Sequence, residues 1–162
     1  MAGKIMNCLW FDKGEARTAA EFYASVFPDS RVGSALAAPG DFPSGNEGDE
    51  LTVEFTVLGR SFLGLNGGPQ TKPNQAVSFM VVTQDQAETD RYWDAIVGNG
   101  GAESGCGWCT DRWGFSWQVT PRQLLDGIAD PDRAVAKRVF EAMMTMGKID
   151  VAKIETARRG NG

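Results

Sequence analysis

The sequence predicts an α+β protein made of paired βαβββ modules followed by C-terminal helices. Three observations carry that prediction. A strand, an acidic turn and a helix ending on paired aromatics occur twice along the chain. Within each copy the apolar spacing switches between the period of two of a strand and the longer period of a helix. Past Pro121 the spacing stays helical.

Laid over each other without a gap, Cys8-Leu9-Trp10-Phe11 falls on Ser78-Phe79-Met80-Val81, Glu15 on Asp85, Phe22-Tyr23 on Tyr92-Trp93 and Val26 on Ile96. The repeat is too long for a solenoid unit and fits two copies of one module. In a chain of 162 residues, half-size modules need each other to bury enough apolar surface, so a single domain over residues 1–162 is expected.

The first module spans residues 4–66. A strand over 5–11 leads to a helix over 14–26, where Ala16, Ala19, Ala20, Tyr23 and Phe27 recur at helical spacing. Pro28-Asp29-Ser30 stops it, and residues 31–37 extend as a second strand. Turn formers from Pro39 to Asn46 predict a flexible loop. Leu51 to Val57 alternate with period two, and a turn at Leu58-Gly59-Arg60 leads to a hairpin partner over 61–66.

Residues 67–75, rich in Gly and Pro, form the linker. The second module, 76–120, opens with a strand over 76–82 and a helix over 85–97, capped by Thr83 or Asp85 and stopped at Gly98-Asn99-Gly100-Gly101. Two strands follow, over 103–109 and 113–120, joined at Thr110-Asp111-Arg112. This copy is one strand shorter than the first, or has an irregular strand. The extension over 121–158 carries a short helix over 123–128 and a helix over 131–146 capped by Asp130-Pro131, with Val135, Val139, Met143 and Met146 as its stripe. A last helix over 150–158 places Val151, Ile154 and Ala157 on one side.

Composition excludes several functions. The net charge of −5 offers no basic stripe for nucleic acid, and no apolar run approaches membrane-spanning length. The three cysteines are an odd number with no export signal legible ahead of them, so a reducing, cytoplasmic setting is expected. The chain contains no histidine, which removes the commonest metal ligand and the commonest general base near neutral pH.

The local motifs Cys8-Leu9-Trp10-Phe11-Asp12, Glu21-Phe22-Tyr23, Val26-Phe27-Pro28-Asp29-Ser30, Leu65-Asn66-Gly67-Gly68-Pro69, Cys106-Gly107-Trp108 and Trp113 to Val119 resemble the PhnB-like branch of the vicinal oxygen chelate superfamily, the glyoxalase, bleomycin-resistance and dioxygenase group. The resemblance covers nearly the whole chain. It implies a curled, mostly antiparallel sheet around a cleft, a small-molecule ligand and a homodimer, to which Met143, Met144 and Met146 would contribute. Members of the branch often carry the label 3-demethylubiquinone-9 3-methyltransferase. A Rossmann-type methyltransferase places a glycine-rich turn directly after its first strand. Here Gly67-Gly68 follows the fourth strand and reads as a tight turn.

Metal-dependent relatives hold a divalent ion with histidine, glutamate or glutamine side chains. The resemblance carries those positions to Cys8, Ser78, Gln118 and Asn66. Such a neutral set does not suit a divalent ion, so no metal or other cofactor is expected. A one-residue slip in the first strand would put Asn7 in place of Cys8. In the last strand Trp113, Phe115, Trp117 and Val119 share one face and Gly114, Ser116, Gln118 and Thr120 the other, the second suited to ligand contact.

The expected ligand pocket comprises Cys8, Trp10, Glu54, Asn66, Ser78, Met80, Ser116 and Gln118. Catalytic residues are not assigned. The chain has five tryptophans: Trp10, Trp108, Trp113 and Trp117 read as pocket walls or as core, and Trp93 as core. Glu54 reads as a cleft carboxylate or a solvent-facing strand residue. Asp12 and Asp111 suit backbone bonding at turns. Cys106-Gly107-Trp108-Cys109 has thioredoxin spacing but strand and turn context, in which chance spacing is favoured over a redox centre. Cys8 or Cys106 as a nucleophile lacks an evident base. Two further readings stay open: a sequestering protein without catalysis, and a metal-dependent isomerase or dioxygenase.

Overall fold

The computed structural model describes residues 4–160. Residues 1–3, read above as a start without an export signal, lie outside the described residues, as do 161–162. The chain divides into two compact units, Met1–Pro73 and Asn74–Gly162, and the boundary falls inside the expected linker. Each unit carries a four-stranded mixed sheet, giving an α+β fold with C-terminal helices.

In the first unit β1 (Asn7–Phe11), α1 (Ala16–Val26), β2 (Arg31–Ala37), β3 (Glu50–Val57) and β4 (Arg60–Asn66) follow in order. The strands are arranged β1-β4-β3-β2, with β1 parallel to β4 and the other pairs antiparallel. The apolar positions of α1 explain its seat on the sheet. Ala16, Ala19, Ala20 and Tyr23 are buried, as are Leu9, Phe11, Val53, Phe55 and Phe62. The Tyr23 ring lies 5.9 Å from that of Phe55, which stacks at 5.3 Å on Phe62. Gly64 lets the helix approach, because a Cβ there would sit 2.9 Å from that of Ala16. Leu58 and Gly59 both have positive φ, as a two-residue type I′ hairpin requires.

The loop after β2 is irregular, as expected, yet it is closed at its base. The Ala38 amide donates to the Asp49 carbonyl at 2.7 Å and the Gly48 amide to the Ala38 carbonyl at 2.9 Å.

The second unit repeats the topology. β5 (Ser78–Thr83), α2 (Gln86–Gly98), β6 (Ala102–Glu103), β7 (Trp108–Thr110) and β8 (Ser116–Pro121) form a sheet in the order β5-β8-β7-β6. Asp85 caps α2 by accepting from the Glu88 amide at 2.8 Å. Two strand expectations need correction. The strand predicted over 103–109 folds back on itself, so that Ala102 pairs with Thr110 and Glu103 with Cys109. Cys106 and Gly107 make that reversal with positive φ. The copy therefore has four strands, one of them irregular.

The strand predicted over 113–120 begins only at Ser116. Asp111 is the reason. Its Oδ1 accepts from the Trp113 and Phe115 amides, both at 3.0 Å, and its Oδ2 from Trp117 Nε1 at 2.9 Å. Those backbone groups are thereby withdrawn from the ladder. The turn aspartate does more than cap backbone, since it also anchors an indole.

The extension forms α3 (Arg122–Ile128), α4 (Arg133–Met143) and α5 (Val151–Arg159) around a cluster of Leu124, Val139, Met146, Ile149 and Ile154. The cap of α4 is Asp132, not Asp130-Pro131. Asp132 accepts from the Ala134 amide, while Asp130 accepts from that of Asp132. The helix ends at Met143, and Met146 turns into the cluster with Met143 packed against it. Of the three methionines expected at an interface, only Met144 is exposed. Among the described residues no helix is long and apolar enough to cross a membrane.

Candidate functional site

The eight expected pocket residues divide four and four between the units. Ser78, Met80, Ser116 and Gln118 belong to the second, Cys8, Trp10, Glu54 and Asn66 to the first.

In the second unit, strand register brings all four onto one face. Ser78 pairs with Ser116 and Ser116 with Thr110, while Met80 pairs with Gln118 and Gln118 with Trp108. Paired residues project to the same side of a sheet, so these rows are neighbours. Phe79, Val81, Trp117 and Val119 project to the other side; there Phe79 and Trp117 rings lie 5.2 Å apart and Val119 is fully buried. Trp117 is thus a core residue, like Trp93.

Polar chemistry on the first face is specific. Gln118 Nε2 donates to Ser78 Oγ at 2.8 Å. Ser116 is buried and its Oγ has no hydrogen-bond partner. Met80 is half exposed, while Trp108 and Gln118 are partly buried. The sequence anticipated a polar face along β8 that was open throughout, but Ser116 and Thr120 are buried and only Gln118 on that face of the strand keeps access. None of Ser78, Met80, Trp108, Thr110, Ser116 and Gln118 is ionisable near neutral pH. Thr110 was not anticipated. Only the register of the short strand β7, invisible as a period, reveals it.

In the first unit one row runs Cys8, Leu63, Glu54 and the next Trp10, Leu65, Thr52. Glu54 is exposed, and its Oε2 accepts from Ser34 Oγ at 2.9 Å. Cys8 is exposed at its strand position, although partial burial of the sulfur raises its pKa above the ordinary thiol value. Trp10 Nε1 donates to the Gly68 carbonyl at 2.7 Å. Its indole covers Gly67 so closely that a Cβ there would lie 2.3 Å from the ring. That contact explains the Gly67-Gly68 pair, which serves a tight turn as expected.

Asn66 sits on the opposite face from Cys8 and Trp10. It pairs with Phe11, is buried, accepts from the Ala16 amide at 3.0 Å and donates to the Glu50 carbonyl at 2.8 Å. The register makes Leu65, paired with Trp10, the counterpart of Gln118, paired with Met80. Asn66 corresponds instead to Val119. It also borders a separate concavity of about 470 Å³, shared with Asp12, Phe42 and Glu50.

Taken unit by unit, the positions carried over for a metal offer no ligating set suited to a divalent ion. The equivalent positions carry Cys8, Leu65, Ser78 and Gln118, of which leucine has no donor and cysteine ligates only as thiolate. Among the described residues no group of three or more His, Cys, Asp and Glu side chains could hold an ion.

The cysteines also fail as a redox pair. Cys109 is buried, and its thiol is pushed up to about 12, first by burial and then by Asp111 and Glu103. Cys106 precedes a strand rather than opening a helix, and its Sγ lies 3.6 Å from Met144 Sδ. All three cysteines are free.

A four-stranded mixed sheet ordered 1-4-3-2 and preceded by a strand–helix start, duplicated along the chain, defines the class to which the comparisons then give a name. The family model described as 3-demethylubiquinone-9 3-methyltransferase matches residues 3–120. The chain belongs to that family, the PhnB-like branch of the vicinal oxygen chelate superfamily. It is similar to a solved Bacillus cereus protein described as a putative 3-demethylubiquinone-9 3-methyltransferase, PhnB protein. Identity is 28%, coverage 74% of this chain and 99% of that one, and the TM-score 0.64. The protein PA1353 of Pseudomonas aeruginosa is 20% identical over 74% of this chain and 98% of its own, with TM-score 0.57. The fosfomycin resistance protein FosX of Listeria monocytogenes is 14% identical over 75% and 93%, with TM-score 0.50. These last two share the fold. The search of curated proteins finds no match.

Proposed function

We propose that this PhnB-like protein binds a small molecule on the β5-β8-β7 face, without a metal ion. The observation that carries the reading is the polar row itself. Gln118 is held by Ser78 beside a buried Ser116 hydroxyl that no protein group satisfies. Leaving a buried polar atom unpaired costs about 1–3 kcal/mol, so the arrangement is intelligible where a ligand completes it. Met80 and Trp108 flank Gln118 in the register and supply apolar surface.

Ligand holding is better supported than catalysis. The face has no side chain that titrates near neutral pH, so general acid-base chemistry has no agent there, and only polarisation by Gln118 and Ser78 is on offer. Methyl transfer finds no cofactor-binding turn after β1, where Asp12-Lys13-Gly14 leads directly into α1. The reading includes a cytoplasmic homodimer in which the two units act as one domain. It also keeps Cys8, Trp10 and Glu54 as ligand contacts of the first unit. Asn66, spent on the Ala16 amide and the Glu50 carbonyl, is not among its contacts.

A thermal-shift screen of small aromatics, quinones and amino-acid analogues, with product analysis of every hit, tests this. Stabilisation without turnover is the expected result. Stoichiometric zinc, iron, manganese or nickel retained through dialysis would overturn the metal-free reading.

A further inference from the structure

We infer that the molecule held on this face is uncharged and presents an adjacent hydrogen-bond donor and acceptor, as a primary carboxamide or a lactam does. The inference rests on the binding face proposed above and adds the chemical class of its ligand. It follows from counting what the face leaves unspent. Gln118 gives an N–H to Ser78, and its amide oxygen makes no hydrogen bond within the described residues. The Ser78 oxygen accepts that bond and keeps its own proton to donate. Ser116 Oγ, nine-tenths buried and more, has neither a donor nor an acceptor opposite it. An open acceptor on Gln118 and an open hydroxyl donor on Ser78, on adjoining strands, match a group carrying both N–H and C=O.

Charge decides against the alternatives. Along the two rows Ser78–Ser116–Thr110 and Met80–Gln118–Trp108 there is no lysine, arginine, aspartate or glutamate. A carboxylate or phosphonate placed there would shed water without gaining a cation, and would set its oxygens against the open amide oxygen of Gln118. An ammonium group would likewise find no carboxylate. A neutral amide loses far less hydration and recovers it in hydrogen bonds. The half-exposed Met80 thioether and the Trp108 indole, on either side of Gln118, suit a flat apolar body joined to that amide.

Matched pairs differing only in charge test this: benzamide with benzoate, nicotinamide with nicotinate, and indole-3-acetamide with indole-3-acetate. Each is titrated by calorimetry and ligand-observed NMR against the wild-type chain, Gln118→Glu and Met80→Ala. Both substitutions fall at partly or half-exposed positions, and circular dichroism checks that each variant folds. The expected result is saturable binding of at least one amide, roughly tenfold or more tighter than its acid, as expected of a site that reads polar groups. Gln118→Glu should abolish that preference, and Met80→Ala should weaken the amide. Acids binding as tightly as amides, with loss in Gln118→Glu, would overturn the ligand class and leave the binding face standing. Amide binding indifferent to both substitutions, or no binding by any pair, would overturn the class and the face together.

Discussion

The two units share a topology and differ in nearly everything that topology does not dictate. Their buried faces match: Phe11 and Val81, Tyr23 and Trp93 take the same places in the repeat and are all buried. Their helix starts do not. α2 is capped from within by Asp85, whereas Glu15 ahead of α1 makes no side-chain cap, and Asn66 supplies the acceptor from 50 residues away. Their hairpins differ as well. β3 and β4 turn on Leu58-Gly59, while β7 and β8 are joined by a longer loop gathered round Asp111. The outward rows differ most, since that of the first unit holds a thiol and a carboxylate, Cys8 and Glu54, and that of the second only neutral side chains. Apolar burial holds the architecture in common, and each polar device was solved separately.

The largest test of that contrast is Asp111→Ala. One buried carboxylate accepts from two backbone amides and an indole N–H, so its loss takes that acceptor from all three. At about 1–3 kcal/mol for each unsatisfied group, even incomplete damage should cost about 3 kcal/mol or more. Urea unfolding followed by tryptophan emission would measure it. Asp111→Asn, retaining one acceptor oxygen, should lie between. A loss below about 1 kcal/mol for the alanine variant would mean that the loop after β7 does not depend on this residue.

Asn66→Val imports into the first unit the residue that the second has at Val119. It should destabilise by about 2 kcal/mol, because the Ala16 amide and Glu50 carbonyl lose their partners. A neutral outcome would show that long-range capping of α1 is dispensable. Cys109 sharpens the contrast through pH. Its pKa is raised in the folded chain, so the protonated thiol contributes stability that is complete below the ordinary thiol value and lost as pH rises toward about 12. Relative to Cys109→Ser, which does not titrate there, the wild type should lose stability more steeply above the ordinary thiol range. Parallel urea midpoints across that range would contradict it.

What the sequence made legible follows the same division. Buried faces announce themselves by period, and β2 and β4, α1 and α2 lie within two residues of expectation. The broken strand at 103–109 was hidden because the reversal rests on positive φ at Cys106, a conformation a non-glycine residue does not advertise. The resemblance carries a ligand position to Asn66 by order along the chain, whereas the face it occupies depends on its pairing with Phe11. Ser116 and Gln118 share a face by period two, which is local to one strand, whereas Ser78 joins them only through the register of β5 with β8. The hydrogen bond between Gln118 and Ser78 was beyond reach, being set by the parallel register of two strands far apart in sequence.

The smallest expected effect lies at the hairpin of the first unit. Leu58 holds φ of +50° and Gly59 +73°, and the first of these is a strained choice for a branched apolar side chain that is more than a third exposed. Asparagine tolerates the left-handed region better and is the favoured first residue of a type I′ turn. Leu58→Asn should therefore stabilise by about 0.5–1 kcal/mol, offset by whatever apolar contact Leu58 retains. The equivalent loop in the second unit offers no such gain, because the Asp111 carboxylate rather than backbone preference sets its course. Thermal midpoints of the variant against wild type would decide the sign. Destabilisation would show that Leu58 is kept for packing, and that the two hairpins resemble each other more than their backbones suggest.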